Sequence, residues 1–573
     1  MSDRMLAGGE LVCEALQAEG VDLVFGVPGG AILPFYDHIL KYPSIHHVLT
    51  RHEQGAAHAA DGYARATGRV GVCIATSGPG AINLAVGLGT SFMDSTPIVA
   101  ITGQVTRPAI GKDAFQETDV TGVTIPVTKH NYLVMNASDI PRVMKEAFHI
   151  ARSARPGPVL VDIPRDVLQE IGEYSGYPQS VDDLPGFRPI THPDPDQVQG
   201  AADLINAAER PVILAGRGVL LSGAEPELKD LAERAQIPVI PTLLGIGSFP
   251  GNHYLHLSLM GMHGSAFANF VANEADLLIN IGSRFDDRII GRVADFAPHA
   301  KIVHFNIDRS SIHQNIFAHA PVVGDAKNSL QALLPLIRQT TRPQWLSRVD
   351  DLRREHPLIV RDFDGKPSTQ YIIKRIHELT DGKAFIVTGV GQHQMWAAQH
   401  YVTDRPNSFI TSGGLGTMGY EVPAALGAQM GRPTEQVWSI CGDAGFQMTL
   451  QELATIRDEK APVKFAIMNN RHHGMVRQWQ TLFYNKRYSQ IDTTGPDFVK
   501  LAEAYGMPGI RVDDIKDVDS AIKQAQDHDG PVIVEFMVEI DELVYPMIPA
   551  GQSVNEMVED PWMDQQPTGT ARR

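Results

Sequence analysis

The stretch "VWSICGDAGFQMTLQELATIRDEKAPVKFAIMNN" (437–470) reads as strand, helix, strand. "VWSIC" (437–441) and "VKFAIM" (463–468) are short apolar runs, and Met448, Leu450, Leu453 and Ile456 fall near helical spacing over 447–456. Two strands joined by a helix make a parallel βαβ unit, and open α/β sheets bind ligands at the carboxyl edge of their strands. Asp443 and Asn470, each just past a strand, therefore point to one place. A carboxylate oxygen, an amide oxygen and a backbone carbonyl are hard ligands that suit magnesium or calcium better than zinc. A single carboxylate leaves such an ion with positive charge, so polyphosphate oxygens would complete the shell. Taken separately, Asp-plus-Gly is an ordinary strand-end turn and Asn-Asn an ordinary helix cap.

The whole chain has 573 residues, too many for one core, and roughly 100–200 residues per domain predicts three or four. With 43% hydrophobic and 20% charged residues it has the composition of a soluble globular protein. A net charge of −17 makes nucleic acid an unfavourable partner. No apolar run approaches the roughly 18 residues of a membrane span, and "MSDRMLAGGELVCEAL" lacks a signal-peptide pattern, so a cytoplasmic location is expected. Cys13, Cys73 and Cys441 are far apart and read as buried small hydrophobes. "RHEQGAAH" is not a zinc-protease helix, because Ala56 stands where the second histidine would be needed.

Pro-rich polar segments at 177–197 and 354–369 divide the chain. The expected units are 1–185, 186–350 and 365–550, followed by a tail at 551–573. In the first, "FGVPGG", "ATSGPG" and "AITGQ" are echoed in the third by "TGVGQH", "TSGGLG" and "SICGD". Duplication and shared α/β grammar both explain the echo. The middle unit has "PVILAGRG" (211–218), "VIPTLLGIG" (239–247), "LINIGSRFDDR" (278–288) and "HFNIDRS" (304–310), apolar strands ending in Gly or polar turns. The fold class is α/β, with three doubly wound parallel-sheet domains.

Gly442-Asp443-Ala444, a gap of 24 residues and then Asn469-Asn470 resembles the diphosphate-and-metal motif of the thiamine diphosphate (ThDP) enzymes. That resemblance implies Mg2+ on Asp443, Asn470 and the carbonyl of His472. Val390, Gly391, Gln392, His393, Gly416, Met418, Ala444, Gly445, Gly474 and Met475 would hold the coenzyme. "RHEQGAAHAADGYAR" also resembles the family, whose one glutamate at this place is Glu53 here. Alone, a glutamate in the first turn of a helix starting near Glu53 and stopping at Gly68 merely complements the helix dipole. In the family it bonds the aminopyrimidine of ThDP, from the chain opposite the diphosphate motif, so at least a homodimer, or a homotetramer, is implied.

Further strings, among them "DAFQETDV", "GMHG", "RFDDR", "TSGGLGTMGYEVPAALGA" and "GMVRQWQTLFY", are similar to acetohydroxyacid synthase catalytic subunits over nearly the whole chain. The resemblance implies decarboxylation of pyruvate and ligation of the two-carbon unit to a second 2-oxo acid, pyruvate or 2-oxobutyrate. Arg288, Met475, Trp479 and Arg165 would serve the substrates, with Phe115 and Met262 lining the pocket and Gln116 reaching toward the reaction centre. It also implies a structural FAD on Arg155, Gly216, Gly218, Thr242, Leu243, Met262, His263, Gly282, Arg284, Asp308 and Asp325, although "GRG" alone is weak evidence for a dinucleotide. A separate regulatory small subunit is a further possible partner. Another ThDP carboligase, a flavin-linked pyruvate oxidase and a non-catalytic subunit of the same fold are the alternatives; the last would be expected to lose Glu53 or Asp443. Three positions depart from the family: Ala444 for Gly, Thr106 for Pro and Arg165 for Lys. Ala444 is expected not to need positive φ.

Overall fold

The computed structural model describes residues 4–181, 184–361 and 363–562. It contains three parallel sheets. The first orders its six strands His46–Leu49, Leu23–Gly26, Gly71–Ala75, Ile98–Gln104, Val159–Pro164 and His130–Leu133. The third orders Phe409–Thr411, Phe385–Thr388, Val437–Gly442, Lys464–Asn469, Val532–Met537 and Gly509–Val512. Numbered from the first strand of each, the two sheets share one order, 2-1-3-4-6-5. Common α/β grammar does not require that identity, so it favours duplication over coincidence. The middle sheet, Val239–Pro241, Pro211–Ala215, Leu277–Ile281, Lys301–Asn306 and Ala320–Val323, runs 2-1-3-4-5. In all three the order reverses beside the first strand, which opens a crevice at the carboxyl edge there.

Outer sheets share a core through two crossed helices, Glu53–Thr67 and Glu421–Gly431. Glu53–Thr67 is alanine-rich, its first turn is capped by the His52 ring accepting from the Gln54 N–H, and Gly68 closes it at φ +75°. Its backbone touches the second helix: a Cβ on Gly62 would lie 2.1 Å from the Ala424 carbonyl oxygen, and one on Gly427 would lie 1.8 Å from that of Ala59. Glycine at both positions is a packing requirement.

The expected helix after "GDAG" forms in two pieces. A short helix, Asp443–Gln447, begins on the aspartate itself, and a second, Leu453–Asp458, follows one 3-10 turn. The break falls at Thr449, whose φ of −137° is not helical and whose hydroxyl donates to the Gly419 carbonyl. Ala444 lies inside the first piece and is not among the residues of positive φ, so its methyl group is unstrained. All three cysteines are buried and free. No helix among the described residues is long and apolar enough to cross a membrane.

Candidate active site

Gly442 pairs with Met468, so Asp443 and Asn470 leave adjacent strand ends side by side. One cavity collects Asp443, Ala444, Gly445, Asn470, His472, Gly474 and Met475 with Val390, Gly391, Gln392, His393 and Met418. Asp443 is 2% exposed. Burial pushes its carboxyl up to about 6, against the Thr493 hydroxyl, which donates to Oδ2 at 2.7 Å. No lysine or arginine among the described residues pairs with it, which leaves a buried carboxyl able to take a cation. Asn470 Oδ1 accepts from the His472 N–H at 3.0 Å, while the His472 ring bridges the Asn470 carbonyl and Asp492. The donor set fits magnesium: one carboxylate, one amide and one carbonyl, with no cluster of three His, Cys, Asp or Glu among the described residues.

Gly391 adopts φ +152°, and the buried His393 ring packs over it and Gly442. Burial pulls this imidazole down to about 4, so it is neutral, and its Nε2 has no partner. An orphaned nitrogen facing a cavity of backbone amides suits a diphosphate oxygen. The Gln392 amide is directed away, donating to Gln478 Oε1 and the Glu542 carbonyl. Gln478 also bonds both the N–H and the carbonyl of Val544. This buried glutamine thus ties the Gly474–Phe483 helix to the Gln392 turn and the closing segment.

At Val390, Gly391, Met418, Met475 and Val476 the cavity opens into a second one of about 1090 Å³. The second gathers Arg155, Gly218, Thr242, Leu243, Met262, His263, Gly282, Arg284 and Asp325 at the carboxyl edge of the middle sheet, with Gly416. Asp308 is outside the lining but 3.6 Å from Arg155, and Gly216 lies under Gly282. Gly218 and Gly282 touch so closely that a Cβ on either would lie 2.6 Å from the other's Cα, which leaves bare backbone toward the cavity. A cavity of this size, edged by glycines and arginines, fits a dinucleotide. Arg288, Met262 and Trp479 line the same space, and Met475 stands at its junction with the first. Trp479 does not pack into the core: the buried side of its helix is Arg477 and Gln478. The segment 548–554 lies beside Arg288, and the Ile548 N–H donates to the Met262 carbonyl at 2.8 Å.

Other expected residues lie elsewhere. Glu53 lines neither cavity; it is half-buried, receives the Asn83 amide on Oε2 at 2.9 Å, and faces Gly80 with Oε1. Gln116, at φ +59°, packs its backbone on Gly78, so it borders the same Gly78–Gly80 turn as Glu53. Phe115 beside it is 89% exposed. Glu53 and Gln116 therefore stand together, apart from both cavities. Arg165 stands apart from both, in a shallow surface hollow with Asp37, His38 and Gln169. Thr106 has φ −59°, the angle proline would impose, so the residue change leaves the backbone path alone. Thr493, Asn83 and Gln478 were not foreseen as site residues.

Comparisons with known proteins agree with this geometry. Residues 389–536 match the family described as "Thiamine pyrophosphate enzyme, C-terminal TPP binding domain", 198–333 its central domain and 6–123 its N-terminal TPP binding domain. An acetolactate synthase of Mycobacterium bovis is 49% identical over 567 residues, covering 97% of this chain and 91% of the relative. The chain belongs to the acetolactate synthase family of thiamine pyrophosphate enzymes. Similar relatives include an acetolactate synthase large subunit of Corynebacterium glutamicum, 46% identical over 96% of this chain and 90% of its own. A probable acetolactate synthase large subunit of Methanocaldococcus jannaschii is 46% identical over 97% and 95%.

One carboxyl packed behind the Asp443 cavity of this acetolactate synthase relative was not anticipated. Glu421 is wholly buried against Gly389 and Gly445, and neither oxygen reaches hydrogen-bond geometry with a described residue. Burial, partly offset by the peptide groups of Glu421 and Gly419, pushes it up to about 7. A carboxyl raised above its unfolded value favours the fold while protonated, fully so below about pH 4, and loses that contribution as pH rises through 7. Glu421→Gln should therefore stabilise the apo chain at pH 8 by on the order of 3 kcal/mol and change little at pH 4.5. Urea midpoints at the two pH values measure this; an equal shift at both would contradict it.

Proposed function

We propose that this chain is the catalytic subunit of an acetohydroxyacid synthase. It decarboxylates pyruvate and joins the two-carbon unit to a second 2-oxo acid, giving 2-acetolactate from pyruvate and 2-aceto-2-hydroxybutyrate from 2-oxobutyrate, a step of branched-chain amino-acid synthesis. The observation that carries this reading is a cavity lined by Arg288, Met262 and Trp479 that is continuous, through Met475, with the one holding Asp443 and Asn470. A guanidinium there can hold the acceptor's carboxylate, and the apolar side chains keep water from the reacting carbon.

Bound ThDP supplies the electron sink for loss of carbon dioxide. Asp443, Asn470 and the His472 carbonyl would hold Mg2+ and through it the diphosphate, with Gly391, His393, Gly445 and Gly474 around it, while Met418 would support the coenzyme. Glu53 would hold a proton for the aminopyrimidine, and Asn83 orients Glu53 by its bond to Oε2. Gln116 and Phe115 approach from the same side as Glu53. Because Glu53 lines neither cavity of its own chain, the complete site needs a second copy. The exposed Phe115, Leu33, Ile82, Val86, Leu415, Met448 and Val476 supply apolar surface for that contact.

FAD in the larger cavity has a structural part, since the overall reaction transfers no net electrons. The domain division at 1–185, 186–350 and 365–550 belongs to this reading; of the tail at 551–573, residues 563–573 lie outside the described residues. Relatives named as large subunits make a separate small subunit the expected partner. Incubation with pyruvate, ThDP, Mg2+ and FAD should yield acetolactate. Acetaldehyde or acetate without acetolactate would instead favour a decarboxylase or a pyruvate oxidase.

A further inference from the structure

The loop 105–118, which carries Phe115 and Gln116, is built as a closed unit. The Glu117 carboxylate gathers the peptide N–H groups of Gly111, Lys112 and Ala114 across its interior. On its entering side Asp166 takes the Arg107 N–H at 2.9 Å and the Arg107 Nε at 2.7 Å. Just past its exit Asp119 caps the helix Val120–Thr124 through the Gly122 N–H.

Both ends of the loop meet one side chain. Gln104, 4% exposed at the end of its strand, accepts the Val105 N–H on Oε1 at 2.8 Å and donates from Nε2 to the Thr118 carbonyl at 2.9 Å. The other hydrogen on Nε2 goes to Asp162 Oδ2, also at 2.9 Å. Asp162 is 1% exposed, on the adjacent strand, and its second oxygen takes the Thr102 hydroxyl at 2.7 Å. No cation pairs with it among the described residues; its neighbouring charge is Asp119. A primary amide can be turned either way in a similar volume. What selects the donor end here is a carboxyl oxygen below and a carbonyl beside it; reversed, Gln104 would turn its oxygen to the Thr118 carbonyl and its nitrogen to the Val105 N–H.

We propose that Asp162 is a positioning residue which, by fixing the orientation of the Gln104 amide, pins the base of the loop that presents Phe115 and Gln116 to the substrate. This rests on the reading of those two residues given above. The contribution is geometric: an unpinned loop samples positions away from the reacting carbon, and a displacement of about 1 Å at a reacting group can cost up to a hundredfold in rate. Asparagine at 162 can keep an oxygen toward Gln104 while its nitrogen donates to Thr102. Alanine removes the acceptor, and glutamate at 104 places acceptors against acceptors with almost no change in volume.

The test uses the full chain with ThDP, Mg2+ and FAD. Gln104→Glu and Asp162→Ala should each speed hydrogen exchange of the 105–118 amides by about tenfold, equivalent to one decade in the opening constant. kcat/KM for pyruvate should fall by about tenfold or more, chiefly through KM, with ThDP affinity within about twofold of wild type. Asp162→Asn should bring loop exchange back to within about threefold of wild type. Should Asp162→Ala not fold, the nearly isosteric Gln104→Glu carries the test. Unchanged exchange over 105–118 in that variant overturns the pin. Faster exchange with kcat/KM unaltered overturns the loop's part in the reaction, and with it the reading of Phe115 and Gln116, even if acetolactate is made.

Discussion

Glu53→Gln should lower acetolactate formation by about a thousandfold, within the 10²–10⁴ range of a positioned acid or base, while leaving the fold and ThDP binding in place. The side chain sits in the first turn of Glu53–Thr67, a helix set by the close crossing at Gly62 and Gly427. Neither packing nor cap depends on the carboxyl: the cap is the His52 ring, and the one side-chain bond is Asn83 donating to Oε2. Glutamine can accept that same bond. What it cannot do is hold and return a proton, so the loss should appear in kcat with the melting temperature moved by no more than a few degrees. A variant that retains more than a tenth of the wild-type kcat would remove Glu53 from the chemistry and return it to an ordinary first-turn acid.

The fold was legible wherever local pattern and ligand geometry agree. Two apolar runs and their spacing placed Asp443 and Asn470 on neighbouring strand ends, and the register of Gly442 opposite Met468 puts them there. Gly68 stopped its helix because only a left-handed residue closes that turn cheaply. The helical spacing over 447–456 misled, because the chain leaves the helix at Thr449, whose hydroxyl donates to the distant Gly419 carbonyl, and a contact across 30 residues leaves no mark on local periodicity. Thr493 escaped for the same reason: its hydroxyl reaches Asp443 from a loop 50 residues on. Nor does sequence reveal that the Gln392 amide turns toward Gln478, since both orientations use the same residue. Arg165, which a matching string assigns to the substrate, is exposed in a hollow that shares no residue with the cavities of its own chain, and Glu53 likewise lines neither of them.

Asp443→Ala attacks the other half-site, and it permits a sharper experiment than loss of activity. Removing the buried carboxylate takes away the single charged ligand of the cation, and the loss of one partner from a buried charged pair costs about 3–5 kcal/mol, so affinity for Mg2+ with ThDP should fall by two to three orders of magnitude. Isothermal titration with the coenzyme and magnesium measures that; binding within tenfold of wild type would dismiss Asp443 as a ligand. Alone, Glu53→Gln and Asp443→Ala are both expected to be nearly inactive. Mixed, unfolded and refolded together or co-expressed, they give different answers for the two possible site arrangements. If each site lay within one chain, every site in the mixture would carry one lesion and none would work. If each site takes Glu53 from one chain and Asp443 from the other, a mixed dimer collects both lesions in one site and leaves the second intact. Random pairing makes half the dimers mixed, so an equimolar mixture should regain about one quarter of wild-type activity per site. That recovery is the expected result, because Glu53 and Gln116 border the Gly78–Gly80 turn while Asp443 and Asn470 line a cavity that includes neither.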